Sequence, residues 1–344
     1  MTKTTAYRNR YPLSGEVAVL CEGDLVGYEA ALLERWIAQE PTFSVDVWPC
    51  GTKTALYGVS DAIGRSRPIV VIEDRDFRTT EEADRDCNAK AQDRAKREVA
   101  VKTWMAWNRN EIENYLIEPE VLTPVLAEYF SISTDLAYDR LGALIPILRG
   151  DQAAQWALYN FRSNLSTVTL GGLPRSTHRP AWSDTTKTFL SPALAAVESQ
   201  LQILEQEATS AATPRDSPAP SLVELFRAKN SEWASVSASD SVWKTEWCGK
   251  DLLVTIEHQF SGEFGWASQP VRWDQLKRAE AGKLGREIEW ELQPALVASF
   301  LSWLASDQGG LVSKDWVQLR DVIRGAATVT GADLETSVDS SSQF

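Results

Sequence analysis

Residues Gly15–Asp24 read GEVAVLCEGD, and residues Pro68–Asp76 read PIVVIEDRD. Each carries an unbroken apolar run, Val17–Cys21 in the first and Ile69–Ile72 in the second, and each run closes on acids. Runs without polar alternation suit strands buried on both faces of a parallel sheet. Between them, DLVGYEAALLERWIAQ places Leu25, Leu32, Leu33 and Trp36 at helical spacing, with Pro41 just beyond. FSVDVWPC then alternates Phe43, Val45 and Val47 as a second strand, and GTKTALYGVSDAIGR reads as a glycine turn followed by a helix. Strand, helix, strand, helix, strand is the order of a parallel α/β sheet.

Working outward, residues 79–98 are highly charged and predict a helix. VKTWMAWNRNEIENYLI (Val101–Ile117) predicts a fourth strand and a short helix or turn. From Pro119 onward the pattern is mostly helical, without a repeat. The predicted division is an N-terminal polar arm over 1–13, an α/β domain over 14–118 and an α-helical domain over 119–325. EQEATSAATPRDSPAP marks a linker near 205–220, and the small, polar, acidic stretch 326–344 predicts a disordered tail.

Composition narrows the function classes. The chain has 344 residues, enough for one large or two ordinary domains, and a formal net charge of -13. That charge argues against a general electrostatic coat for nucleic acid, although it leaves room for an enzyme with a local basic patch or a metal. The four cysteines, Cys21, Cys50, Cys87 and Cys248, form no CxxC pair, which disfavours zinc knuckles and redox motifs and points to the reducing cytoplasm. No stretch is long and apolar enough for a membrane span, and the first residues have no apolar signal core. The only histidines are His178 and His258, too few for a histidine-based nuclease, and neither has a second ligand at metal spacing. GxxxxGK[ST] is absent, so Walker-type ATP hydrolysis is not expected.

The acids carry the chemistry. Ligands of open α/β sheets sit beyond the carboxyl ends of the strands, so Glu22 and Asp24 after one strand, and Asp74 and Asp76 after another, should converge there. Carboxylates packed so closely repel one another unless a cation stands among them. Hard divalent cations prefer oxygen ligands, and the i,i+2 spacing of Asp74 and Asp76 puts both side chains on one side of an extended segment.

These residues resemble the TOPRIM fold of topoisomerases, DnaG-type primases and OLD-family nucleases. More closely, the chain is similar to the stand-alone TOPRIM-like proteins that accompany ABC-type ATPases in PARIS-like bacterial anti-phage systems. The resemblance rests on Glu22-Gly23-Asp24, Cys50-Gly51-Thr52-Lys53, Asp74-Arg75-Asp76-Phe77 and RNEIENYL (Arg109–Leu116), and extends weakly to WCGKDLL (Trp247–Leu253). It covers about a third of the chain.

For these positions it implies a TOPRIM-like, mainly parallel sheet flanked by helices, followed by a mostly α-helical domain. Glu22, Asp74 and Asp76 would be catalytic and ligate Mg²⁺ or Mn²⁺. Glu113 would be a further ligand or an anchor behind the ligands, although Glu111 two residues earlier could take that place. Lys53 would contact the scissile phosphate, and Asp24 and Arg109 would support the site. The implied function is a metal-dependent nuclease acting on tRNA, other RNA or DNA. It would be the toxic effector of an anti-phage system, controlled by an ABC-type ATPase partner, and a homodimer if it cuts both strands of a duplex. The alternative is an inactive TOPRIM-like module that docks the ATPase.

Several signals also have ordinary structural readings. Glu-Gly after a strand is common alone, and the specificity comes from two acidic strand ends in this order. Lys53 can be a solvated turn lysine, and Glu113 an acid that favours a helix N-terminus. Arg94, Lys96 and Arg97 sit among Asp and Glu, where a salt-bridged surface helix outweighs a phosphate contact. Trp233, Trp243, Trp247, Trp266, Trp273, Trp290, Trp303 and Trp316 read as core rather than as base-stacking platforms.

Overall fold

The computed structural model describes residues 17–23, 28–38, 44–97, 99, 101–163, 180–211, 220–268, 292–306 and 314–327. Asp24, His178, Trp273, Trp290, the arm over 1–13 and residues 328–344 lie outside them. Two compact units emerge. One spans Met1–Asn108 and Val271–Phe344, and the other Arg109–Pro270.

The first unit is built on four parallel strands, β1 (Val17–Cys21), β2 (Val45–Pro49), β3 (Ile69–Glu73) and β4 (Val101–Ala106), ordered β2-β1-β3-β4. The two unbroken apolar runs are the two central strands, and every residue of β1 and β3 is buried. β2, at the edge of the sheet, is partly exposed at Val45 and Asp46 and buried from Val47 to Pro49. Helices α1 (Tyr28–Ile37), α2 (Lys53–Ile63) and α3 (Thr80–Lys96) follow the first three strands. A reciprocal capping box between Thr79 and Glu82 fixes where α3 begins.

Two further helices, α10 (Gln293–Ala305) and α11 (residues 314–327), return to this unit. Their anchor is Trp316, 1% exposed, whose ring lies 5.1 Å from Trp36, 5.1 Å from Trp107 and 5.3 Å from Phe300. Asn108 adds a hydrogen bond to Asp315 of 2.6 Å. The division therefore differs from the boundary after residue 118 and from a single helical domain over 119–325. Aromatic packing between segments more than two hundred residues apart in the chain has no local signature. Ala326 and Ala327, at the start of the expected tail, are buried helical residues.

The second unit is mostly helical. It contains a short 3-10 helix (Ile112–Tyr115), α4 (Pro119–Phe130), the long α5 (Thr134–Ser163), α6 (Leu194–Ala211), α7 (Leu222–Glu232), α8 (Val242–Thr245) and α9 (Gly249–Phe264). Residues 205–211 of the expected linker are the last turns of α6, and 212–219 lie outside the described residues. One element is unheralded in the sequence, the antiparallel hairpin of β5 (Ala181–Ser183) and β6 (Thr188–Leu190). Its strands are three residues long, too short for a periodicity, and it is held by a tertiary contact. Buried Gln259 of α9 accepts from the Phe189 N–H at 3.3 Å and donates to the Lys187 carbonyl at 3.1 Å.

Trp233, Trp243 and Trp247 are core residues of this unit, each no more than 1% exposed. RNEIENYL and WCGKDLL, far apart in sequence, pack together here. Asn110 N–H donates to the Thr245 carbonyl at 2.9 Å, and the Asn114 carboxamide to the Trp247 carbonyl at 3.0 Å. The packing is tight enough that a Cβ on Gly249 would lie 2.7 Å from the Asn114 backbone nitrogen. Gly249→Ala is therefore expected to cost about 1–3 kcal/mol through overpacking, readable as a lower urea midpoint at unchanged slope. An unchanged midpoint would contradict this account of the packing.

Candidate active site at the strand switch point

From β1 the chain crosses to β2 on one side, and from β3 to β4 on the other. Adjacent strands whose connections leave in opposite directions open a crevice between their carboxyl ends. Glu22 follows β1 and Asp74–Asp76 follow β3, so the acids singled out in the sequence flank this crevice.

The loops around it are shaped by specific bonds. Gly23 and Gly51 have φ of 88° and 89°, a region open to glycine but costly for other residues. Gly51 N–H donates to the Gly23 carbonyl at 2.7 Å, and Cys50 N–H to the Cys21 carbonyl at 2.9 Å. These bonds zip the loop after β2 to the loop after β1 and bring Lys53 beside Glu22. Lys53 opens α2, where its charge opposes the helix dipole. Its ammonium is held by acceptors instead. It donates to the Asp74 carbonyl at 2.6 Å, pairs closely with Asp76 and lies 3.8 Å from Glu22 Oε1. Glu22 Oε1 also accepts the Asp74 N–H at 2.9 Å. Glu22, Lys53, Asp74 and Asp76 thus form one cluster.

Burial pushes the Glu22 carboxyl above its ordinary range, against the opposing pull of Lys53 and the Asp74 N–H. Asp76 and Phe77 both adopt left-handed backbone, with φ of 50° and 57°, which for non-glycine residues costs about 1–2 kcal/mol each. Arg78 secures that turn. Its Nη2 donates to the Asp74 carbonyl at 2.8 Å and its Nε to the Arg75 carbonyl at 2.7 Å.

Behind the turn stands Glu73, fully buried. Its carboxylate accepts from Arg78 Nη2 at 2.8 Å, from Lys90 at 2.8 and 2.9 Å and from the Trp104 indole at 2.8 Å. Burial alone would raise this carboxyl. The Lys90, Trp104 and Arg78 donors outweigh burial and hold it below the ordinary range. Glu73 and Arg78 are not among the residues that the sequence singles out for the site. Glu73 is the last residue of a buried strand that is otherwise apolar, and that anomaly is the signal the sequence offers.

Arg109, Glu111 and Glu113 belong to the second unit. Arg109 is buried, paired closely with Glu118, and donates to the Asn114 carbonyl at 2.5 Å, while Lys244 reaches Glu118 at 3.0 Å. Glu111 accepts the Lys250 N–H at 3.1 Å, at the start of α9, and the Cys248 thiol at 3.2 Å. Glu113, 4% exposed, sits in the 3-10 helix beneath Gly249.

Arg94, for which the salt-bridged helix outweighs a phosphate contact in the sequence, is 6% exposed. It lies 4.7 Å over the Tyr57 ring and is bridged to Asp61 and Asp93 at 3.1 and 2.7 Å. Arg97 is exposed and pairs with Asp93 at 3.1 Å, and Lys96 is exposed. The salt-bridged helix describes Arg94 and Arg97.

The donor set at the switch point is all oxygen, which fits a hard divalent cation by type. Two carboxylates and a carbonyl already converge there on one cation, the Lys53 ammonium. Among the described residues, no group of three or more His, Cys, Asp or Glu side chains is spaced to hold a metal ion. Nor does the unit offer a thiolate nucleophile. Burial raises the thiols of Cys21 and Cys50, and that of Cys87 to about 12, and in the second unit burial raises Cys248 as well.

Lys53→Met would leave Glu22 and Asp76 facing each other without the ammonium. The metal-free protein is then expected to lose about 1 kcal/mol, a modest figure because the pair is partly exposed. Urea unfolding with and without Mn²⁺ reads this, and no loss in the metal-free protein would mean the ammonium is not neutralising the cluster. No described helix is long and apolar enough to cross a membrane. Comparison with protein-family models and with characterised proteins finds no match.

Proposed function

We propose that the chain is a Mg²⁺- or Mn²⁺-dependent phosphodiester hydrolase of the TOPRIM type, cleaving RNA or DNA. In this reading it is the toxic effector of an anti-phage system, acts in the cytoplasm, and is restrained by an ABC-type ATPase partner. The observation that carries the catalytic part is the convergence of Glu22, Asp74 and Asp76 with Lys53 at the switch point between β1 and β3. The defence role and the ATPase rest on the sequence resemblance.

Glu22, Asp74 and Asp76 would hold the ion, whose contribution is Lewis-acid stabilisation of charge on the attacked phosphate. Lys53 would leave Asp76 and place its ammonium against the phosphate. Glu22, whose carboxyl burial raises above its ordinary range, would serve as an ion ligand or as the general acid/base. Arg78 would keep the Asp74–Asp76 turn in position through its two carbonyl bonds.

A second reading is favoured by one observation, the ammonium already lodged among the acceptors. An inactive module that docks the ATPase would keep Lys53 there permanently. The test is cleavage of plasmid DNA, single-stranded DNA and total tRNA by the purified protein with Mg²⁺ or Mn²⁺, with and without the partner ATPase. Cutting that requires the metal and disappears in Glu22→Ala supports the hydrolase. No cutting on any substrate with the partner present, together with no Mn²⁺-dependent rise in Tm, supports the docking module.

A further inference from the structure

The ammonium of Lys53 stands among the oxygens that the hydrolase reading gives to the metal ion. We propose that Lys53 is an internal cation exchanged for the divalent ion. It holds the metal-free site in an inhibited state, and the arriving ion displaces it. The exchange rests on the metal-binding reading of this site and adds a regulation to it.

Shared acceptors are the reason. Lys53 Nζ donates to the Asp74 carbonyl at 2.6 Å, pairs closely with Asp76 Oδ2 and lies 3.8 Å from Glu22 Oε1. An ion held by the Glu22 and Asp76 carboxylates would need the oxygens that now face the ammonium. Two cations on the same few oxygens repel strongly at such short range, the more so where solvent is partly excluded. The ion and the lodged ammonium therefore exclude each other, and each lowers the other's occupancy by the same factor. The charge that lets the acids stand together without metal also weakens their grip on metal.

The surroundings let the ammonium leave without unmaking the site. The Lys53 side chain is 27% exposed, and the flexible stem of a lysine can swing its charge outward from a fixed Cα. That Cα is fixed by backbone bonds in which the side chain has no part, from Cys50 N–H to the Cys21 carbonyl and from Gly51 N–H to the Gly23 carbonyl. Lys53 is the first residue of α2, where the helix dipole disfavours its charge, so the acceptors alone hold it inward. The Asp74–Asp76 turn keeps its other support, because Arg78 still donates to the Asp74 and Arg75 carbonyls. Arg78 is not exchangeable in the same way. Its side chain is 12% exposed and is bridged to Glu73 and Asp86 at 2.8 and 2.6 Å.

The test is Mn²⁺ binding by the full chain and by Lys53→Met, followed by electron paramagnetic resonance. Reductive methylation of the unaltered protein, read by peptide mass spectrometry, accompanies it. Lys53→Met is expected to bind Mn²⁺ roughly tenfold or more tightly than the unaltered protein. In the unaltered protein, saturating Mn²⁺ should speed methylation of Lys53 roughly fivefold or more relative to exposed Lys96. Equal Mn²⁺ affinity in the two proteins, with binding lost in Glu22→Gln, would overturn the exchange and leave the metal site standing. Absence of Mn²⁺ binding from both would overturn the metal site and the exchange with it. An unchanged methylation rate of Lys53 at saturating Mn²⁺ overturns the exchange even if Lys53→Met fails to fold.

Discussion

Replacing both Asp74 and Asp76 with alanine is expected to abolish metal-dependent cleavage while leaving a folded protein. The loss should be at least about a thousandfold, equivalent to ~4 kcal/mol of transition-state stabilisation, because two of three oxygen ligands would go at once. The fold should survive because the Asp76 side chain is 35% exposed and because the Glu73–Arg78 support behind the turn does not depend on either carboxylate. Circular dichroism and urea unfolding establish the second point before cleavage is measured. Full cleavage by the folded double variant would sink the hydrolase reading. Removing Asp76 also frees Lys53 from its closest partner. If the ammonium alone were responsible for activity, the single Asp76→Ala variant would cut faster, and the metal reading predicts that it cuts more slowly.

Glu73→Ala is expected to cost about 3–5 kcal/mol of stability, more than either Gly249→Ala or Lys53→Met. Removing this carboxylate leaves two cations, Arg78 and Lys90, only 12% and 11% exposed, with the more exposed Asp86 carboxylate they share, at 2.6 and 2.7 Å, still paired to both. The Trp104 indole would lose its acceptor as well. Arg78 would also lose one of the anchors from which it grips the Asp74 and Arg75 carbonyls, so cleavage should fall together with stability.

The pH dependence follows from the same carboxylate. Its folded pKa is held below the unfolded value of 4.5, so the folded state binds fewer protons there than the unfolded state. The stability it confers is fully present above about pH 4.5 and is lost as the pH falls through the depressed folded value. Urea unfolding of the unaltered protein and of Glu73→Gln, from pH 7 down to pH 3, measures the difference. The gap between them should close as the pH falls, and a gap that stays constant over this range would contradict the linkage.

The parallel α/β class of the first unit is legible in the sequence, though the order of its strands is not. Val17–Cys21 and Ile69–Ile72 are unbroken apolar runs, and only strands covered on both faces hold such runs without penalty, so they occupy the centre of the sheet. Glu22, Asp74 and Asp76 are legible for a related reason. Acids directly after buried strands stand where the chain leaves the sheet, and that is where ligands of such sheets sit. Lys53 is marked in the sequence only by its glycine turn. What places it among the acids is the bond between Gly51 and Gly23, made across two strands.

Other features have no local cause. Glu73 ends an apolar strand and signals nothing about which cations will reach it, because Lys90 and Trp104 are contributed by α3 and β4. Arg94 sits in a run of mixed charge that reads as solvated surface, yet the rings of Tyr57 and Trp104 take it into the core. Trp316 reads as part of a distant helical domain and packs on Trp36 and Trp107 of the α/β unit. Hydrophobic period and strand-end chemistry are short-range properties that the sequence carries alone. The switch point, the buried partners of Glu73 and the return of the C-terminal helices were decided by tertiary structure, because each depends on which distant surfaces best exclude water and compensate charge once the sheet has formed.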